Sequence, residues 1–285
     1  MRPYNQVTEA DLRFFREIMP GRVFSGEEIS SDYDHDEMTE YGHFPPEAVL
    51  QALTTEEVSR VLAYCNERRI PVTPRGAGTG LCGGCVPIQG GIVLSTEKMK
   101  QVKEVDTRNM TATVEPGVLL LEFPQALEGT GLFYPPDPGE KTATMGGNAM
   151  TNAGGMRAVR YGVTRDYILG MEIVLASGEV LRLGGKNVKT SSGYSLINLM
   201  IGSEGTLGFL TELTVKLVPE PKVNLSVLLP FDDLDSCIGA VPQILNCGCD
   251  PTAVEFMERE VISCAETYLG KQFPPPTAPL RLPSR

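Results

Sequence analysis

The sequence predicts a mixed helix-and-strand fold, and three features carry that reading. The first is Pro74-Arg75-Gly76-Ala77-Gly78-Thr79-Gly80-Leu81, with glycines on alternate positions and a strand-like Ile70-Pro71-Val72-Thr73 running into it. The second is a helical pattern through Val58, Val61, Leu62 and Cys65 that feeds this strand, an α/β arrangement of helix, strand and glycine loop. The third is a later series of strand patterns. It comprises Val102–Asp106, Thr111–Glu115, and Met171–Ala176 with Glu179–Leu183 around Ser177-Gly178, a two-residue hairpin signal.

The glycine loop is where chemistry is expected. Alternate glycines permit positive φ and bring backbone N–H groups close to a ligand with no Cβ in the way. A run of such groups cradles phosphate or pyrophosphate, and Arg75 adds a planar fork that matches a phosphate. The plainer alternative is a glycine-rich turn between strands. A Walker A loop is excluded because Leu81 and Cys82 stand where Lys and Ser or Thr are required. The dinucleotide fingerprint needs a helix opening inside the glycines and an acidic residue about 20 positions on. Glu97 stands near that distance, but the glycines and proline of residues 81–91 cannot hold a helix.

In chain order, Thr8 caps a first helix whose Leu12, Phe15, Ile18 and Met19 share one face, and Pro20-Gly21 ends it. Residues 30–36 are polar and acidic and read as a solvated loop, with His35 among them. Thr54 and Glu57 form a capping box for the second helix. Gly91–Ser95 reads as a buried strand. A helix is expected from Pro116-Gly117 through Leu119, Leu120, Phe123 and Leu127. Residues 144–155 are too rich in glycine for a stable helix over their length. Their small residues and neutral amides suit packing on a flat heterocycle, or a compact structural loop. A short helix around 194–200 and a strand at Thr214–Val218 come next, and Pro219-Glu220-Pro221 reads as a domain border.

Composition bounds the function. With 285 residues, 41% hydrophobic and 21% charged, the chain is an ordinary globular protein of one or two domains. Its net charge of -11 argues against broad binding to nucleic acid. No apolar run approaches a membrane span, the polar start is no signal peptide, and a cytoplasmic location is expected. The 7 cysteines form no even framework. Cys82 and Cys85 have CxxC spacing, and Cys247 and Cys249 a closer one, but further ligands are missing. They read as loop thiols, and no metal is expected.

Four signatures, taken in order, resemble the flavoproteins of the vanillyl-alcohol oxidase and p-cresol methylhydroxylase type, in particular the glycolate oxidase flavin subunit and the D-lactate and D-2-hydroxyglutarate dehydrogenases. They are the loop at 74–81, Pro-Asp-Pro at 136–138, Gly-Gly-Asn with Asn-Ala-Gly-Gly within 146–155, and Gly-Ser-Glu-Gly-Thr-Leu-Gly at 202–208. The resemblance implies an α+β chain: an N-terminal helical segment at 1–45, a two-subdomain FAD-binding domain at 46–221, and the opening of an α+β substrate-binding cap at 222–270. It implies that Pro74, Arg75, Gly76, Ala77, Gly78, Thr79, Gly80 and Leu81 wrap the pyrophosphate of FAD. Pro136, Asp137, Pro138, Thr142, Met145, Gly146, Gly147, Asn148, Asn152, Ala153, Gly154 and Gly155, closed by Tyr161 and Gly162, would line the flavin ring and ribityl chain. Glu204, Gly205 and Leu207 would close on the adenine side or the pyrophosphate. No His lies in the glycine loop, so the FAD is expected to be non-covalent.

The function implied is oxidation of a D-2-hydroxy acid of the glycolate or D-lactate type by hydride transfer to the flavin. Electrons would leave to an electron-transfer flavoprotein, an iron-sulfur subunit or a quinone, and a homo-oligomer is also consistent with the family. Within the cap, strands are expected at Leu225–Pro230 and Ala253–Met257 around a helix at Asp233–Leu245, and residues 271–285 read as a disordered, proline-rich tail. The family's catalytic and metal-binding histidines lie beyond this stretch, and no His follows His43. The alternatives are therefore an FAD-binding fragment without catalysis, or a thiol or zinc module built on Cys82 and Cys85.

Overall fold

The computed structural model describes residues 4–273, so most of the proline-rich tail lies outside the described residues. The chain divides into two compact units, the residues up to Gly155 with Val163–Glu220, and Met156–Gly162 with the residues from Pro221 on.

The first unit opens with α1 (Glu9–Ile18), capped by Thr8, whose N–H in turn donates to the Asp11 carboxylate at 2.8 Å. Leu12, Phe15, Ile18 and Met19 are buried as the helical spacing requires. β1 (Val23–Ser25) pairs antiparallel with β2 (Ala48–Gln51), a strand not expected from the sequence, whose Ala48, Val49 and Leu50 are fully buried. Residues 4–45 thus share a core with the segment that begins at Ala48. Thr54 caps α2 (Thr55–Arg68) through the Glu57 N–H, but the second half of the predicted capping box does not form. The Glu57 carboxylate instead accepts from the Leu53 N–H at 2.8 Å and pairs with both ends of the Arg22 fork, a stronger set of partners. β3 (Val72–Arg75) and β4 (Ile92–Ser95) complete a sheet of order β1-β2-β4-β3, with β4 parallel to both neighbours. α1 and α2 pack on this sheet around Phe15, Val58, Val61, Leu50 and Ile92.

β5 (Val102–Asp106) and β6 (Thr111–Val114) begin a second sheet. The predicted helix from Pro116 shrinks to α3 (Phe123–Leu127). The backbone before it is committed elsewhere: Gly117 donates to the Met99 carbonyl, Leu120 to that of Ala143 and Leu121 to that of Lys141. After β7 (Leu132–Phe133) comes α4 (Met145–Thr151), a helix inside the stretch whose glycines argue against one over its full length. Thr144 caps it through the Gly147 N–H, and Asn152 ends it in the left-handed region at φ 51°. Gly146 is the reason the helix fits: a Cβ there would lie 2.5 Å from Pro116 Cβ and 2.9 Å from the Pro116 carbonyl oxygen. Its missing side chain lets α4 lie directly on that turn.

The chain then passes through α5 (Ala158–Tyr161), which belongs to the second unit, and returns to β8 (Ile168–Val174) and β9 (Val180–Gly184). Their turn has three residues rather than the predicted two. Leu175 N–H closes it on the Glu179 carbonyl, with Gly178 at φ 85°. α6 (Leu196–Met200) leads to β10 (Phe209–Lys216), the centre of the antiparallel order β5-β6-β10-β8-β9, and β11 (Val218–Pro219) pairs with β7. The two larger sheets, one mostly parallel and one antiparallel, make this an α+β fold with two subdomains.

The second unit contains α7 (Leu234–Asn246), capped by Asp233 through the Ser236 N–H at 2.7 Å, and α8 (Arg259–Leu269), a helix not expected from the sequence. The two strands expected at 225–230 and 253–257 carry no ladder among the described residues. Their alternating apolar side chains suit strands, but a strand exists only where a neighbour takes its N–H and carbonyl groups. Leu225, Val227, Phe256 and Met257 are accordingly exposed. No described helix is long and apolar enough to cross a membrane.

Candidate functional site

Parallel strands β4 and β3 end side by side, and the chain beyond their carboxyl ends encloses a cavity of about 450 Å³. All of residues 74–81 line it, together with Cys82, Gly84 and Cys85 from the same connection and Thr96 after β4. Pro138, Gly139 and Glu140 form another wall. The first half of α4 supplies Gly146, Gly147 and Asn148, and Glu204, Gly205, Phe209 and Leu210 close the far side.

Beyond Arg75 the loop leaves the ladder. Among the described residues, the N–H groups of Ala77, Gly78, Thr79 and Gly80 find no protein acceptor. Such N–H groups form an anion-binding surface. The loop is braced from outside by residues 32–37. The Glu37 N–H donates to the Gly80 carbonyl at 3.1 Å, and buried Asp36 accepts from the Gly83 N–H at 2.7 Å. Gly78 has φ 80°, which a side chain there would strain.

The structure places the Arg75 side chain away from its predicted role. Its guanidinium is buried and donates to the carbonyls of Asp32 at 2.5 Å and His35 at 2.8 Å and to the Cys85 thiol at 3.2 Å, with its face over the Tyr33 ring. A fork occupied by two carbonyls and a thiol clamps the 32–35 segment rather than offering itself bidentately to a phosphate. Its charge remains near the loop. Burial pushes the Cys85 thiol up, against the pull of that charge, so Cys85 stays protonated at neutral pH.

On the opposite wall, Asn148 is buried and its Nδ2 has no acceptor among the described residues. Asn148 lines the cavity, and a buried amide donor without a partner is costly. Glu204 adopts φ 52° and its N–H donates to the Met150 carbonyl at 2.9 Å, which ties the 202–208 turn to α4.

Of the residues singled out from the sequence, the structure brings together in this cavity the whole 74–81 loop, Pro138, Gly146, Gly147, Asn148, Ala153, Glu204 and Gly205. Pro136, Asp137, Thr142, Met145, Asn152, Gly154, Gly155 and Leu207 do not line it. Asn152 Oδ1 accepts the Arg165 N–H at 3.0 Å, and a Cβ at Gly155 would fall on the Asp137 carbonyl. Tyr161 and Gly162 fall in the second unit. Sequence reasoning missed Asp36, Thr96, Pro116, Phe209 and Leu210. Thr96 was within reach, because ligands gather at the carboxyl ends of parallel strands; nothing in the sequence marked Asp36. A second hollow of about 310 Å³ shares Arg75, Gly76, Ala77 and Thr144 with the first. Glu97 lines it, accepting from the Tyr33 hydroxyl at 2.8 Å and from Gln51.

Comparison with known proteins places these features. Residues 46–184 match the FAD binding domain family, and residues 220–282 match the C-terminal domain of FAD linked oxidases. A D-lactate dehydrogenase of Anaerostipes hadrus is 53% identical over 272 residues, covering 95% of this chain and 57% of that protein. The glycolate oxidase subunit GlcD of Bacillus subtilis (strain 168) is 45% identical over 237 residues, covering 83% of this chain and 50% of that one. The chain thus spans about half the length of the curated relatives it matches. Among solved structures, alkyldihydroxyacetonephosphate synthase superposes with a TM-score of 0.68 at 22% identity, over 78% of this chain and 45% of that one, a likeness of fold.

The residues present fit FAD: unpaired N–H groups at the loop and a buried amide without an acceptor at Asn148, both on residues that line the cavity. The chain combines the FAD binding domain and the C-terminal domain of FAD linked oxidases on the p-cresol methylhydroxylase type of fold, with FAD as cofactor.

Proposed function

We propose that this protein holds FAD without a covalent bond in the 450 Å³ cavity and oxidises a small D-2-hydroxy acid of the lactate or glycolate class to the 2-oxo acid. The observation that carries the reading is that the unsatisfied N–H run at Ala77–Gly80 and Asn148, whose buried Nδ2 has no acceptor, line one cavity. The loop N–H groups would take the pyrophosphate, with the Arg75 charge close by, and Asn148 would donate to an acceptor on the flavin portion. When bound, FAD supplies the two-electron acceptor, and the protein supplies position and electrostatics. Neither histidine lines the cavity, and the thiol of Cys85 is held protonated, so neither is poised to bond the flavin. The electrons would leave to a quinone or a protein acceptor such as an electron-transfer flavoprotein or an iron-sulfur subunit. All seven cysteines are free, which suits a reducing, cytoplasmic compartment.

One observation favours a second reading, FAD binding with little turnover by this chain. Oxidising a hydroxy acid requires a base for the hydroxyl proton, most often a His, and no His lines the cavity. Anaerobic mixing of flavin-loaded protein with D-lactate, glycolate or D-2-hydroxyglutarate separates the two. Bleaching at about 1 per second or faster supports the first reading; yellow protein that none of them bleaches supports the second.

A further inference from the structure

Outside the flavin cavity, one cluster of side chains has the makings of a site. A 3-10 turn at Ser31–Tyr33 presents Asp34 and His35 side by side. The chain then loops back, and the Phe44 N–H donates to the Asp34 carbonyl at 2.8 Å, which brings His43 beside them. Both imidazole Nδ1 atoms lie 2.7 Å from the same oxygen, Asp34 Oδ1, and the rings are 4.9 Å apart. One ligating atom from each of the three residues falls within 4.8 Å of the others.

We propose that Asp34, His35 and His43 bind a divalent transition-metal cation of the zinc class. Two imidazole nitrogens and one carboxylate oxygen are the donor set such ions favour, and three protein ligands with an open position are enough to hold one. Tetrahedral zinc with bonds of about 2.0–2.1 Å needs its donors somewhat farther apart than the hydrogen-bonded Nδ1 and Oδ1 atoms. His43 can supply that movement, because its side chain is 58% exposed while that of Asp34 is 16% exposed. The exposed ring also gives an ion its way in.

The rest of the cluster is already fixed. Arg75 holds the carbonyls of Asp32 and His35 on one side, and Asp36 accepts from the N–H groups of Met38 and Gly83 on the other. Asp32, Asp36, Glu37 and Glu40 lie in the same stretch of chain and add negative charge to it, against the single positive charge of Arg75 at the Asp32 and His35 carbonyls. A bound ion would staple residues 34–43, a stretch that includes Asp36 and Glu37 of the glycine-loop brace. It would have no part in the redox chemistry, and its presence does not depend on FAD.

The chain has only 2 histidines, which makes the test direct. In this 285-residue chain labelled with nitrogen-15, Zn²⁺ added to one equivalent should shift both imidazole resonances together. Co²⁺ should give visible d–d bands of nitrogen and oxygen ligation, without the thiolate charge-transfer band that binding at any of the seven cysteines would add. Asp34→Asn and His43→Gln should each weaken binding at least about tenfold, or 1.4 kcal/mol, with unchanged circular dichroism. If either variant fails to fold, the two resonances of the unmutated protein still decide. Imidazoles that do not move, a shift of His43 alone, a thiolate band, or unaltered affinity in folded variants would each overturn the proposal and leave a hydrogen-bonded triad.

Discussion

Arg75 shows how a residue chosen for one property can be used for another. Its fork is engaged by the carbonyls of Asp32 and His35 and by Cys85. Lysine keeps the charge but lacks the planar fork that reaches these acceptors from two nitrogens. Arg75→Lys should therefore lower stability by about 2 kcal/mol in urea unfolding and raise the rate at which Cys85 reacts with a maleimide. An unchanged midpoint and an unchanged Cys85 rate would show that the clamp is dispensable. Asp11 makes a second case. Burial alone would raise its carboxyl pKa, but hydrogen bonds from Thr8, Tyr64 and Arg68 outweigh burial and hold it at about 2, against 3.8 for the free group. Because the folded value is the lower one, this stability is fully present above the unfolded value and is lost as pH falls from about 4 towards 2. Asp11→Asn should cost about 3 kcal/mol at pH 7 and flatten the acid limb of the stability profile. A variant whose acid limb matches the unmutated protein would contradict this assignment.

Among the elements, α4 was the hardest to anticipate. Two adjacent glycines argue against a helix by propensity, and what overrides propensity is a contact that no local pattern shows, the seating of Gly146 on Pro116. Gly146→Ala should gain helix propensity yet destabilise, by about 1–3 kcal/mol, because the new Cβ meets the Pro116 turn, including its carbonyl, which cannot move aside. Gly239→Ala in α7, where nothing lies within 4 Å, should be neutral or stabilising by up to about 1 kcal/mol. Thermal unfolding of both variants checks the pair, and equal effects would refute the packing argument. The elements that were legible carried local signals: the caps at Thr8 and Thr54, the apolar face of α1 and the buried run of β4. Those that were not depended on distant partners. Ala48–Gln51 is a strand because β1 and β4 flank it, whereas Leu225–Pro230 has a strand pattern and no flanking strand among the described residues.

At the scale of the molecule, the glycine loop and the motifs at 146–155 and 202–208 were visible in the sequence as separate stretches, and their convergence on one cavity is a property of the fold. The brace behind them was not visible, because Asp36 and the Arg75 clamp act through backbone groups far away in the chain. Asn148 joins the two levels. Its substitution by Asp keeps the size but replaces the buried donor with an acceptor. FAD affinity should fall at least about tenfold, or 1.4 kcal/mol. The most direct test of the account is a calorimetric titration of flavin-free protein with FAD, followed by acid precipitation. One FAD should bind per chain, more weakly in Asn148→Asp, and all of the flavin should appear in the supernatant. Absence of binding, equal affinity in a folded Asn148→Asp variant, or flavin retained in the pellet would contradict the account.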